Sequence, residues 1–118
     1  MKRSPAYLLS LILFAADGCG GNSTVDNAYD VYKKGGDYTE AAAILSADTI
    51  DYGSLSMKDF AKLGVTLTYI SAYTIDETDK INMDRFEEVS REYELAKRNL
   101  TPEQKKKLTE ERAGLITR

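Results

Sequence analysis

Apolar positions recur along most of the chain at intervals of three and four residues, the spacing of one face of an α-helix. The first such segment starts at Ser23, a hydroxyl residue suited to capping, and ends at Gly35-Gly36. A second segment, Ala41–Leu45, follows Asp37, which is also a good helix-capping residue. Because only a short turn separates the two segments, they predict an antiparallel helical hairpin.

The segment after Ser56 carries two competing patterns. Ser56 and, three residues later, the carboxylate of Asp59 form a helix-start signature. Residues 65–75 instead contain apolar side chains that alternate with threonines, a period of two that is typical of a strand. A lone strand would leave its backbone groups unpaired, and no other segment offers a partner. We therefore expect a helix over Met57–Tyr73, with a strand over residues 65–75 as the alternative.

Two more helices are expected in the last third of the chain. Asn82 or Asp84 opens a long one, and Thr101-Pro102 starts the last, with a capping residue followed by proline at the first helical position. The length of 118 residues is typical of one domain. We expect an all-α fold of stacked antiparallel helical hairpins, forming a single small domain over residues 25–118.

Two motifs combine bulky and small residues at helical spacing. They are Phe60-x-x-Leu63-Gly64-x-x-Leu67 and Gly36-Asp37-Tyr38-x-x-Ala41. The first resembles the opening helix of the tetratricopeptide repeat, and the second resembles the helix that follows it in that family. The resemblance covers about residues 25–97 as two degenerate units, with a C-terminal helix after them. It implies a module that binds a protein or peptide.

The N-terminal residues have the layout of an export signal, with Lys2-Arg3 before an apolar run over residues 6–16. That run is about half of the roughly 20 residues that a membrane-spanning helix needs. Small residues then lead to Cys19, the only cysteine, in a pattern that resembles the lipidation site of bacterial lipoproteins. The alternatives are an ordinary secretory signal and a cysteine that acts only as a small hydrophobe.

The lipoprotein resemblance implies how the chain is divided and where it resides. Residues 1–18 would be a signal peptide, Cys19 would carry the acyl chains, such as palmitate, and residues 19–24 would be a flexible tether. The protein would then be lipid-anchored in the cell envelope, at the periplasmic or surface face of the outer membrane. Its lipid would contact the membrane while the domain stands clear of it.

Composition excludes several kinds of chemistry. The chain contains no histidine, which is the usual general base near neutral pH and the commonest metal ligand. A single cysteine forms neither an intramolecular disulfide nor a cysteine-based zinc site. We therefore predict no enzyme activity, no metal and no other cofactor. The net charge of −3 argues against nucleic acid as a partner, because phosphate binding needs clustered lysine and arginine.

Tyrosine is the most distinctive residue type, with eight copies in a chain that lacks tryptophan. Tyrosine is amphipathic and enriched in binding surfaces. Several tyrosines fall on the predicted helices, where they would share a groove or, alternatively, border the core. We predict that they bind another envelope protein or a peptide. The predicted binding residues are Tyr29, Tyr32, Tyr38, Tyr69 and Tyr73.

The charged C-terminal helices suggest a second function. Leu100-Thr101-Pro102-Glu103-Gln104 resembles the Leu-Thr-x-x-Gln stretch of small periplasmic stress chaperones. This resemblance implies a periplasmic chaperone or stress-type protein as the alternative. The lysine run Lys105-Lys106-Lys107 is typical of a solvated face, and the alternative is contact with an anionic partner or a lipid head group.

Overall fold

The computed structural model describes residues 22–75 and 78–116. Within this part of the chain the regular elements are helices and no β-strand occurs, so the predicted all-α class is confirmed. The two short 3₁₀ turns lie at Tyr52–Ser54 and Thr78–Lys80. The α-helices are α1 (Ser23–Lys33), α2 (Tyr38–Ala47), α3 (Met57–Thr74), α4 (Met83–Arg98) and α5 (Pro102–Ile116).

The starts of the later helices follow the capping residues that the sequence predicts. The Ser56 hydroxyl accepts a hydrogen bond from the Asp59 N–H at 3.1 Å at the start of α3. Asn82 caps α4 through its side-chain oxygen. At α5 the Thr101 hydroxyl accepts from the Gln104 N–H at 3.1 Å, and the Gln104 side chain accepts from the Thr101 N–H at 2.9 Å. These bonds satisfy backbone groups that a helix leaves free at its N-terminus.

The folded domain begins earlier than predicted. The sequence predicts a tether over residues 19–24 and a cap at Ser23, but Ser23 and Thr24 lie in the first turn of α1, and Asn22 is its cap. The Asn22 side chain accepts from the Val25 N–H at 3.1 Å, because asparagine is as good a cap as serine. The Asn22 N–H also donates to the Asp59 carboxylate at 3.0 Å, which attaches this point to α3.

The turn between α1 and α2 is closed by backbone hydrogen bonds. Gly35 has a φ of +71°, a conformation that glycine adopts without the steric cost of a Cβ atom. The Gly35 N–H donates to the Tyr32 carbonyl at 3.1 Å, and the Gly36 N–H donates to the Val31 carbonyl at 2.8 Å. This pair of bonds is the Schellman arrangement, which ends α1 sharply and allows α2 to pack back against it.

α3 is the helix on which most of the others pack. It lies against α1, α2 and α5, whereas α4 packs mainly on α2. Every residue from Leu63 to Leu67 is buried, so α3 is enclosed on more than one side. The buried Thr66 hydroxyl donates to the Lys62 carbonyl one turn earlier, at 2.8 Å, so its burial leaves no donor unpaired. The helix predicted over Met57–Tyr73 is confirmed, and the strand alternative is wrong.

α4 is attached to the preceding elements by polar contacts. The Arg85 guanidinium donates to the Asp48 carbonyl at 2.8 Å, just beyond the C-terminal end of α2. The Tyr52 hydroxyl donates to the Val89 carbonyl at 3.3 Å.

Over the described residues we find no helix long and apolar enough to cross a membrane.

Candidate functional site

The five tyrosines that the sequence analysis selects lie side by side in the structure. Neighbouring ring centroids are between 5.1 and 5.8 Å apart, within the range of aromatic pair interactions. We call this set the tyrosine row. The order of its rings is Tyr29, Tyr32, Tyr69, Tyr73 and Tyr38.

Helical spacing and the α1–α2 turn together build the tyrosine row. Tyr29 and Tyr32 are three residues apart on α1, and Tyr69 and Tyr73 are four apart on α3, so each pair shares one helix face. Tyr38 is the first residue of α2, and the short turn brings it back beside α1. Packing of α3 against both helices then joins the three groups of rings.

Exposure is lowest at the two ends of the row and highest at Tyr73. Tyr29 and Tyr38 are buried, with exposed fractions of 6% and 7%, and Tyr32 and Tyr69 are half-buried. Tyr73 is 54% exposed. Its ring is stacked on that of Tyr38, with an interplanar angle of 12° and a centroid distance of 5.5 Å. A buried ring therefore holds the exposed ring in a defined position.

The polar groups of the row are only partly engaged. The Tyr69 hydroxyl donates to the Gly36 carbonyl and so ties α3 to the hairpin turn. The Tyr29 hydroxyl is buried and has no hydrogen-bond partner among the described residues. The Lys62 ammonium lies 5.4 Å from the Tyr29 ring centroid and 3.1 Å from the Asp26 carboxylate. The lysine therefore makes a cation–π contact at the Tyr29 end of the row.

The electrostatics of the row involve Tyr69 and a nearby carboxylate, Asp37. Burial raises the pKa of Tyr69, and the neighbouring Tyr73 and Asp37 raise it further, so the phenol stays protonated. The N–H and hydroxyl of Thr39 hydrogen-bond to Asp37 and lower the pKa of its carboxyl. The position of Asp37 near the row could not be predicted from its capping and motif patterns, because that position depends on how α3 packs.

Tyr93 occupies a different part of the fold. Its ring centroid lies 5.7 Å from that of Phe60, and its hydroxyl faces Gly64 of α3. Burial is the main cause that raises the pKa of Tyr93. The tyrosine row is therefore formed from α1, α2 and α3 alone.

The row offers aromatic faces and hydroxyl donors rather than a set of metal ligands. Among residues 22–75 and 78–116 we find no group of three or more Asp, Glu, Cys or His side chains placed to hold a metal ion.

The predicted signal peptide over residues 1–18 and the predicted lipidation residue Cys19 lie outside the described residues. No family model, curated protein or solved structure matches this chain.

Proposed function

We propose that this protein is a membrane-tethered lipoprotein of the cell envelope that binds an extended segment of a partner protein on the tyrosine row. The observation that carries the proposal is the exposed Tyr73 ring, which is stacked on the buried ring of Tyr38. Binding residues need to be both accessible and already ordered, because immobilising a side chain on binding costs affinity. Tyr73 meets both conditions.

The geometry of the row favours an extended partner with proline or aliphatic side chains. Its rings are tilted against one another, by 59° between Tyr32 and Tyr69 and by 73° between Tyr69 and Tyr73, so they do not form one flat stacking surface. Surfaces lined with aromatic rings bind polyproline-type segments in several binding modules. The hydroxyls of the half-buried Tyr32 and the exposed Tyr73 are suited to bonding the free backbone groups of such a segment.

Tyr73→Ala is expected to weaken binding of the partner segment about tenfold, since truncating an ordered aromatic anchor removes both contact area and stacking. Leu95→Ala is the matched control, because Leu95 is 52% exposed and lies on α4. Partners captured from envelope extract by the 118-residue chain would be identified by mass spectrometry. The affinity of the purified partner for the two variants would then be measured by calorimetry.

The outcomes of this experiment separate the two functions. A stoichiometric partner whose affinity falls for Tyr73→Ala and stays unchanged for Leu95→Ala supports the binding module. Equal affinities for both variants contradict a role for the row. Capture of many unfolded clients, without one stoichiometric partner, favours the chaperone function instead. Circular dichroism of Tyr73→Ala checks that the helices are retained.

The tether is tested separately by the mass of the mature N-terminus. The pattern around Cys19 predicts removal of residues 1–18 and a diacyl or triacyl adduct on the cysteine. Intact mass spectrometry of protein extracted from membranes would detect this adduct. A free Cys19 thiol in protein released from cells without detergent contradicts the tether, and it leaves the binding proposal for the tyrosine row unaffected.

A further inference from the structure

A groove with a volume of about 550 Å³ lies between the C-terminal half of α4 and one face of α5. This volume is within the range of roughly 300–1,000 Å³ that is typical of small-molecule binding sites. Tyr93 and Leu108, which are 5% and 7% exposed, are its most buried lining residues. No member of the tyrosine row lines it. The lining residues on α5 are Lys105, Leu108, Thr109, Arg112, Ala113 and Ile116.

The groove follows a single face of α5. Its lining positions repeat every three or four residues, so they lie in a stripe along the helix. At a rise of 1.5 Å per residue, the stripe from Lys105 to Ile116 is about 16 Å long. This shape suits a long, narrow ligand better than a compact one.

The charge of the groove is opposite to that of the protein. The chain has a net charge of −3, yet the groove is lined by four cations and no carboxylate. The Lys97 ammonium lies 3.5 Å from the Glu94 carboxylate. Among the described residues, no ion pair engages the other three. The four cations are Lys97, Arg98, Lys105 and Arg112.

Helix stability explains only some of these cations. Lys97 and Arg98 are in the last turn of α4, where the helix dipole favours positive charge. Lys105 is the fourth residue of α5, near the end where the dipole disfavours a cation. A short connection joins the two helices, so Arg98, Lys105 and the positive end of the α5 dipole gather at one end of the groove. An anion is the complement of that end.

The other end of the groove is apolar. Ala113 and Ile116 line it, and Ile116 is one of the large hydrophobic side chains that remain exposed, at 57%. Between the ends, Leu108 provides an apolar surface, while the half-buried Arg112 lines the groove with its methylene groups as well as its charge. The cations are therefore most concentrated at the end of the groove nearest the α4–α5 connection, and Arg112 is the one cation that lines the rest of it.

We infer that the α4–α5 groove binds a long-chain fatty acid. Its carboxylate lies at Arg98 and Lys105, and its alkyl chain extends along α5 past Leu108 to Ile116. A docked protein helix is a poorer complement, because specific protein interfaces bury about 800 Å² of surface on each partner. The volume of this groove is instead that of a small-molecule site. The inference rests on α4 and α5 and is independent of the partner proposed for the tyrosine row.

Lys105→Glu is expected to weaken fatty-acid binding about tenfold, because a carboxylate then faces the ligand's carboxylate. Lys106→Glu is the matched control. It makes the same change in charge on the adjacent residue, which points about 100° away around the helix and does not line the groove. Binding to the 118-residue chain would be measured by titration with a fluorescent polyene fatty acid, and we expect saturation at one ligand per chain.

The apolar end has its own pair of variants. Ile116→Asp is expected to weaken binding about tenfold, since it places a charge beside the alkyl chain, whereas Leu95→Asp should leave binding unchanged. Both residues are more than half exposed, so neither change is expected to unfold the protein. Binding to the apolar run at residues 6–16, which all the variants share, would not produce a difference between paired variants.

Several results would overturn the inference. Equal weakening by Lys105→Glu and Lys106→Glu would indicate general charge attraction instead of a site. An alcohol of the same chain length that binds as tightly as the fatty acid would exclude a role for the carboxylate. Displacement by inorganic phosphate alone would indicate a simple anion site, and tighter binding of an alkyl phosphate would assign a different head group. Displacement by an acidic peptide at lower concentration would identify a protein ligand.

Discussion

Replacing Phe60 by alanine is expected to lower the free energy of unfolding by about 3–5 kcal/mol. Phe60 is 2% exposed and lies in the first half of α3. Its ring centroid is 5.7 Å from that of Tyr93, so its removal would leave a cavity between α3 and α4. Small domains are stable by only about 5–15 kcal/mol, and this one substitution would therefore remove a large part of the total.

Urea denaturation followed by circular dichroism would measure this loss. Leu95→Ala is the control, because Leu95 is 52% exposed on α4 and its truncation should change stability by less than about 0.5 kcal/mol. A loss below about 1 kcal/mol for Phe60→Ala would contradict the packing of α3 against Tyr93. An equal loss for both variants would contradict the difference in burial between the two sites.

Gly64→Ala is expected to destabilise the protein by up to about 2 kcal/mol, although alanine is the better helix former. A Cβ atom at Gly64 would overlap the Tyr93 hydroxyl and would lie 3.1 Å from the Cζ atom of the same ring. Overpacking of this kind costs about 1–3 kcal/mol, whereas the gain in helix propensity is only about 1 kcal/mol. The steric effect is therefore expected to prevail.

The cause of this loss can be isolated with Tyr93→Phe, which removes the overlapping hydroxyl and keeps the ring against Phe60. In the Tyr93→Phe background, Gly64→Ala should be neutral or stabilising by up to about 1 kcal/mol, because the gain in helix propensity remains, and the coupling energy between the two positions should be about 1–3 kcal/mol. Urea denaturation of the four proteins in the cycle measures this coupling. An additive result, with the same loss in both backgrounds, would contradict the contact between Gly64 and Tyr93.

The helix starts could be predicted because they depend on neighbours in the chain. Ser56, Asn82 and Thr101 each cap a helix by accepting a hydrogen bond from the N–H three residues later. Both partners of such a bond lie within one turn of each other in the chain, so the residue types are enough to indicate it. The error at α1 instead has a tertiary cause, since Asn22 and Ser23 are both good caps and the bond from the Asn22 N–H to the distant Asp59 carboxylate favours the earlier one.

The ambiguous pattern over residues 65–75 has a tertiary cause. A helix with one buried face shows its apolar residues every three or four positions, but α3 is covered by α1, α2 and α5 together. Buried positions therefore follow one another from Leu63 to Leu67, and the helical period is lost. The threonines that resembled a strand bond back within the helix, as Thr68 does to the Gly64 carbonyl at 2.9 Å.

The five row tyrosines were selected from residue type and helical spacing, and the structure brings all five together. Their exposure could not be predicted in the same way. Tyr38 is buried and Tyr73 is exposed, although both are tyrosines on predicted helices, because the packing of α3 on the hairpin places one ring beneath the other. Lys105 likewise appeared only as part of a lysine run, and its place in a groove depends on where α4 lies.

By itself the sequence determined the helical class, the capping residues of the helices after α1 and the sharp turn at Gly35, because each depends on residues within a few positions of one another. Only the tertiary structure decided the order of rings in the tyrosine row, the contact between Gly64 and Tyr93, and the α4–α5 groove. These features join residues that are distant in the chain. Each helix side chain points about 100° from the last, so contacts between helices depend on how every helix is rotated in the packed domain.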